Sequence, residues 1–150
     1  MKVDGIVRDY AIAGALALLF WSEPIPTYDL DVLIFLPEAS GPIVSLAPIY
    51  EWAERRGYRS EKEHIIIEDL PVQFVPAHSE LADEAIETAA EMTYGSTPVR
   101  VVKPEYLIAL YLEGSAATAK RRARAAALRE SGKVDEARLR ELAQRFKIPL

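Results

Sequence analysis

The chain contains no cysteine, which excludes disulfides and thiolate metal sites. Its two histidines, His64 and His78, stand alone, with no His-x-x-x-His spacing and no His/Asp pairing in sequence, so no zinc site can be assembled from them. Both read as surface or strand-end residues. No Gly-x-Ser-x-Gly is present, which removes the serine-hydrolase elbow. The apolar run Tyr10 to Trp21 is only about a dozen residues, too short to span a bilayer. It follows Asp4, Arg8 and Asp9 and lacks the basic start and small-residue cleavage site of a secretory signal, so a cytoplasmic, soluble protein without membrane contact is expected. An excess of positive charge is also missing. The net charge of −5 and pI near 5.1 argue against an overall electrostatic nucleic-acid binder.

What the chain does have is 150 residues of 50% hydrophobic content, enough for one well-filled core and short for two. The charge is uneven. Residues 120–147 hold ten basic and four acidic side chains, a net +6, which leaves −11 on the first 119 residues.

Ile6, Tyr10, Ala13, Ala17 and Phe20 follow a helical step, so the spacing predicts a helix over 3–21, with Gly14 inside it. Glu23 to Pro26 reads as a proline-stiffened loop, and Leu30 to Leu36 as a buried centre strand. A helix is expected over 42–57, stopped by Gly57. His64 to Ile67 and Val72 to Val75 form a hairpin signal across Glu68 to Pro71. Ser79 caps a helix expected to run to Glu91, and short strands at Met92–Tyr94 and Pro98–Val102 flank Gly95-Ser96. Helices over 104–113, 118–131 and 134–146 complete the chain. The order is α+β, with a mixed-sheet core over 1–102 and a helical region over 103–150 packed on it as one unit.

Thr27-Tyr28-Asp29-Leu30-Asp31 carries the chemistry. On a strand, side chains two apart leave the same face, so Asp29 and Asp31 would point to one spot and repel each other unless a cation sits between them. Hard divalent metals take such oxygen ligands and bridge phosphates. The bland alternative is a polar strand edge with ordinary surface acids. The run Lys120-Arg121-Arg122-Ala123-Arg124 reads on its own as a solvated face, its cations spread around the helix.

Gly14-Ala15-Leu16, then Thr27 to Asp31, then Lys103-Pro104-Glu105-Tyr106-Leu107-Ile108-Ala109 resemble, in that order, the signature of the nucleotidyltransferase (polymerase β-like) superfamily. The similarity is greatest to its minimal, abortive-infection and toxin–antitoxin members. It covers roughly residues 4–145 in order of elements, with few specific letters. The resemblance implies a nucleotidyltransferase-like mixed β-sheet flanked by helices, with an α-helical C-terminal bundle. It implies Mg²⁺ on Asp29 and Asp31, and a nucleoside triphosphate cradled by Gly14 and Ala15 with Thr27 nearby. Lys120 and Arg121 are the implied triphosphate ligands. The implied reaction moves a nucleoside monophosphate to a hydroxyl, the acceptor left open among a tRNA end, a protein side chain and a small molecule, with an antitoxin as an expected partner for a toxin-type member. The chain departs from the family pattern in three places. Ala15 offers no hydroxyl, Gln73 occupies the expected slot of a third carboxylate, and Tyr111 stands where relatives often carry a cleft-facing lysine. These departures carry the alternative of a catalytically degenerate nucleotide- or protein-binding module of the same fold.

Overall fold

Gly14 divides the opening stretch of the chain in two. The structure, a computed structural model, describes residues 5–22, 29–35, 45–114 and 117–150. The single helix expected over 3–21 is replaced by strand β1 (Asp9–Ala13) followed by helix α1 (Gly14–Trp21). The backbone at Gly14 has φ +62°, a left-handed value through which no α-helix continues. Before that break, β1 is held on both edges. It pairs antiparallel with β2 (Leu30–Phe35) from Asp9 opposite Phe35 to Ala13 opposite Asp31, and Ile12 pairs parallel with Val101 of β7 (Thr97–Val101). Ladder bonds to two neighbours outweigh a modest local helix preference.

The remaining strands are β3 (Arg59–Glu61), β4 (His64–Ile67), β5 (Leu70–Pro76) and β6 (Ala90–Tyr94), and the sheet order is β3-β4-β5-β2-β1-β7-β6. β2 lies parallel to β5 and antiparallel to β1, a central position that explains its near-continuous apolar run. The β4–β5 hairpin turns on Glu68 and Asp69, both at positive φ (50° and 68°), so β5 starts at Leu70, two residues earlier than expected. β3 was not anticipated; its three residues, all exposed, give no apolar alternation to detect.

Helix α2 (Ala47–Arg55) lies within the expected 42–57, whose first three residues fall outside the described ones. Ser79 caps α3 (Glu80–Glu87), its Oγ accepting the Ala82 N–H at 3.1 Å. This helix stops short of Glu91 because Ala90 onward pairs with β7. α4 (Pro104–Leu112), α5 (Ala119–Glu130) and α6 (Glu136–Phe146) match the three helices expected at the C-terminal end. No helix among the described residues is long and apolar enough to cross a membrane.

Both sheet faces are covered. Val32 and Ile34 of β2 pack with Ile49 and Trp52 of α2, while Leu33 faces a larger cluster drawn from α1, α3, α4, α5 and α6. Asp31, two residues from Leu33, therefore belongs to the face on which the C-terminal helices lie. Those helices are tied down by polar links as well as by burial. The buried Glu105 carboxylate accepts the Asp135 N–H at 2.7 Å. Glu84 of α3 accepts from the Tyr106 hydroxyl at 2.6 Å, from Arg138 at 3.1 Å and from Arg145, joining α3, α4 and α6.

Gly14→Ala should lower stability by about 1–3 kcal/mol in thermal or denaturant unfolding, because a left-handed residue gains a side chain with no room for it. Burial alone would raise the Glu84 pKa, but hydrogen bonds from Tyr106 and Arg145, with the charges of Arg145 and Arg138, hold it below the ordinary 4.5. Its contribution is thus complete above pH 4.5 and lost as pH falls through the lower folded value. Glu84→Gln should cost roughly 1–3 kcal/mol at neutral pH. Unfolding free energy measured against pH should fall less steeply below pH 4.5 in that variant than in the wild type.

Candidate active site

The head of β2 brings together three stretches that are distant in sequence. Asp31 is in register with Ala13 of β1 on one side and Gln73 of β5 on the other. Asp29 precedes the strand by one residue. At the end of β1 the glycine turn passes directly over this strand end: a Cβ built on Gly14 would lie 2.1 Å from Asp31 Oδ2. Only a residue without a side chain allows that approach, and the same residue supplies the left-handed φ that turns β1 into α1. Ala15, next in line, is buried in the first turn of α1, whose start has no side-chain cap.

Asp31 is a perturbed carboxylate. Burial, then the negative charge of Asp29, raises the Asp31 pKa, partly offset by His64 and Arg124. Asp29 Oδ2 lies 3.3 Å from His64 Nε2. Ile65 pairs with Val72, so the β4–β5 register, continued by one residue, sets His64 across from Gln73 in the row that also holds Asp31. His64 does sit at a strand end, and that end belongs to the site. The signal was present in the sequence, since a two-residue turn at Glu68-Asp69 fixes the pairing of every residue before and after it.

Gln73 thus stands directly beside Asp31. Its amide can donate or accept hydrogen bonds and takes up no proton at ordinary pH. Among the described residues no three of His, Cys, Asp and Glu gather closely enough to hold a metal ion.

Asp31 and Gly14 form one end of a cleft of about 550 Å³, a volume suited to a small ligand. Its walls are largely aliphatic, and Tyr111, Arg121 and Arg124 bring polar groups to it from α4 and α5. Asp29 opens instead on a neighbouring hollow of about 370 Å³, beside His64, Glu61 and Glu63.

The basic run resolves into separate environments. Arg121 Nη2 donates to the Leu110 carbonyl at 2.8 Å from the cleft wall. Lys120 is exposed and does not line the cleft, whereas Arg124, one turn further along α5, does. Spacing within the run does not identify Arg124 as the inward cation; Ala125 and Leu128, the buried positions of α5, fix which side of the helix turns in. Thr27 lies outside the described residues. Tyr111 is buried, and its hydroxyl has no hydrogen-bond partner among the described residues. Burial pushes that hydroxyl up to about 12, against the opposing pull of the nearby Arg124 guanidinium.

No protein-family model matches the chain, and no curated protein matches it. Among solved structures, the antibiotic-resistance factor ANT(2'')-Ia superposes with a TM-score of 0.56 at 18% identity, over 97% of this chain and 85% of its own. An antigenic nucleotidyltransferase-like protein from Paracoccidioides brasiliensis superposes with a TM-score of 0.48 at 16% identity, over 91% of this chain and 80% of its own, a likeness too slight to carry an argument. Among the described residues, the seven-stranded mixed sheet with its flanking helices has a nucleotidyltransferase-like fold.

Proposed function

We propose that the protein is a nucleotidyltransferase that moves a nucleoside monophosphate from a nucleoside triphosphate to a hydroxyl. The observation that carries this reading is the contact between the Gly14 turn and the Asp31 carboxylate at the mouth of the cleft. A glycine turn that presents backbone N–H groups beside a half-buried carboxylate suits a phosphate chain and its counter-cation together.

The residues fit Mg²⁺ as a metal held by few protein ligands. Asp29 and Asp31 offer oxygen donors, and the burial and the Asp29 charge that together raise the Asp31 pKa are both offset by a bound cation. With Gln73 in the adjoining slot, substrate phosphates and water would complete the coordination. When bound, the metal neutralises phosphate charge against the incoming oxygen. The acceptor oxygen forms a bond to the α-phosphorus as the bond to the departing pyrophosphate breaks, and the hydroxyl proton passes to water. Gly14 and Ala15 would orient the phosphate chain by their backbone, Asp29 and Asp31 would hold the counter-cation against which that chain lies, and Gln73 can hydrogen-bond a phosphate or a water molecule. Most of the rate enhancement would come from positioning and charge neutralisation. A toxin-type role with an antitoxin partner, and the choice of acceptor among a tRNA end, a protein side chain and a small molecule, rest on the sequence resemblance.

A second reading, a nucleotide- or protein-binding module without catalysis, is favoured by Gln73 beside Asp31 and by the absence of a three-ligand set among the described residues.

Calorimetric titration with each of the four nucleoside triphosphates should show binding that requires Mg²⁺ and disappears in the Asp29→Ala/Asp31→Ala variant. A folded wild type that binds none of them would end the enzyme reading. Gln73→Asp supplies the third carboxylate and should strengthen Mg²⁺-dependent nucleotide binding by roughly tenfold. If it instead leaves the metal dependence unchanged, Gln73 does not occupy the ligand slot.

A further inference from the structure

The guanidinium groups of the C-terminal half are mostly committed. Arg121 is held by the Leu110 carbonyl, Arg129 by Glu136, and Arg138 and Arg145 by Glu84 and Glu141. Arg124 differs. It is half-buried in the cleft wall, and no carboxylate among the described residues lies within ion-pair distance of it. A guanidinium carries five N–H donors, and in this largely aliphatic cleft the carboxylates of Asp31 and Glu113 lie beyond ion-pair distance and leave those donors unmatched.

Behind it stands a second unmet group. Tyr111 is 6% exposed, and its hydroxyl makes no well-aligned hydrogen bond among the described residues, although the Arg124 guanidinium is near enough to draw its pKa down by charge and by hydrogen bonding. A buried hydroxyl left unpaired costs roughly 1–3 kcal/mol, so a fold that keeps one either tolerates the loss or recovers it in another state. The two unmet groups are neighbours, and one event can satisfy both. A guanidinium drawn onto an oxyanion in the cleft would present another N–H edge to the tyrosine oxygen.

The geometry points to Arg124 as the residue that binds a phosphoryl oxyanion of the cleft's ligand, with Tyr111 as the positioning residue that fixes its guanidinium in the bound state. The identification of the oxyanion as phosphoryl rests on the nucleotidyltransferase reading; the existence of the anion site does not. Arg124 reaches the cleft from α5, one helix beyond the α4 position that Tyr111 fills. The aliphatic walls leave the rest of the ligand to be held by apolar contact, and the cleft volume of about 550 Å³ admits one nucleotide-sized molecule.

The test is calorimetric titration of the full chain with inorganic tripolyphosphate, with each nucleoside triphosphate, and with the matching nucleosides. Each titration is run with Mg²⁺ on wild type, Arg124→Gln, Tyr111→Phe and Asp31→Asn, with thermal unfolding of each ligand-free protein alongside. Arg124→Gln should weaken tripolyphosphate and triphosphate binding by roughly tenfold or more and leave nucleoside binding unchanged. Tyr111→Phe should weaken the same anions by several-fold while the melting temperature of the ligand-free protein stays level or rises, since the change deletes an unpaired hydroxyl and keeps the ring. A purely structural tyrosine would show the reverse, a lower melting temperature with affinity intact, and that result overturns the proposal. So does wild-type binding of either anion that both variants retain, or a wild type that binds no tripolyphosphate. Anion binding that needs Arg124 and Tyr111 but is indifferent to Asp31→Asn and to Mg²⁺ keeps the anion site and removes the metal-dependent reading. Nucleotide binding that needs Asp31 but neither Arg124 nor Tyr111 does the opposite.

Discussion

The close approach of Gly14 to the Asp31 carboxylate governs the architecture around it. One residue ends β1, starts α1 and lets backbone lie against a half-buried acid, and a methyl group in its place would sit 2.1 Å from Asp31 Oδ2. The position of α1 follows from that turn. So does the opening of the cleft, because the turn fixes how near α1 comes to the strand end on which Asp31 stands. A side chain at residue 14 would have to displace either the carboxylate or the helix.

The rest of the molecule holds that contact in place by supporting β2 from both sides. β1 and β5 flank it, so Asp31 has Ala13 and Gln73 as fixed neighbours and little freedom to relax away from the glycine. Above the sheet, the Glu84, Tyr106, Arg138 and Arg145 network ties α6 to α3 and α4. This network lies apart from the cleft and anchors α4, the helix that carries Leu107, Leu110 and Tyr111 to it. Several of its members are partly exposed, so its contribution depends on geometry and number more than on any one pair.

Legibility in the sequence followed the physics of each element. The apolar run of β2, the proline-started α4 and the Ser79 cap were readable because each rests on a local cause that survives in the fold. The first helix was misread because Asp9 to Ala13 has the composition of a helix, and its conversion to a strand depends on pairing with β2 and β7, which no local window contains. Gly14 and the two aspartates stood out in the sequence because their chemistry is unusual at that spacing, and the structure sets Gly14 against Asp31. His64 was visible as a residue but not as a neighbour of Asp29, since that contact follows from a hairpin register. Arg124 was hidden within a run of similar residues, and only the packing of Ala125 and Leu128 shows which cations turn inward.

The position of β1 between β2 and β7 also bears on the order in which the protein is made. Ile12 pairs with Val101, and the Trp21 indole donates to the Val102 carbonyl across 81 residues. Contacts closed over such spans form slowly, because a long loop must be ordered before they give anything back. During synthesis β1 emerges before β2, and β7 arrives only after β3 to β6 and the helices between them have followed. Until β7 emerges, one edge of β1 stays unpaired. The strand end that carries Asp31 therefore gains its full sheet support only after Asp29 and Asp31 have been made.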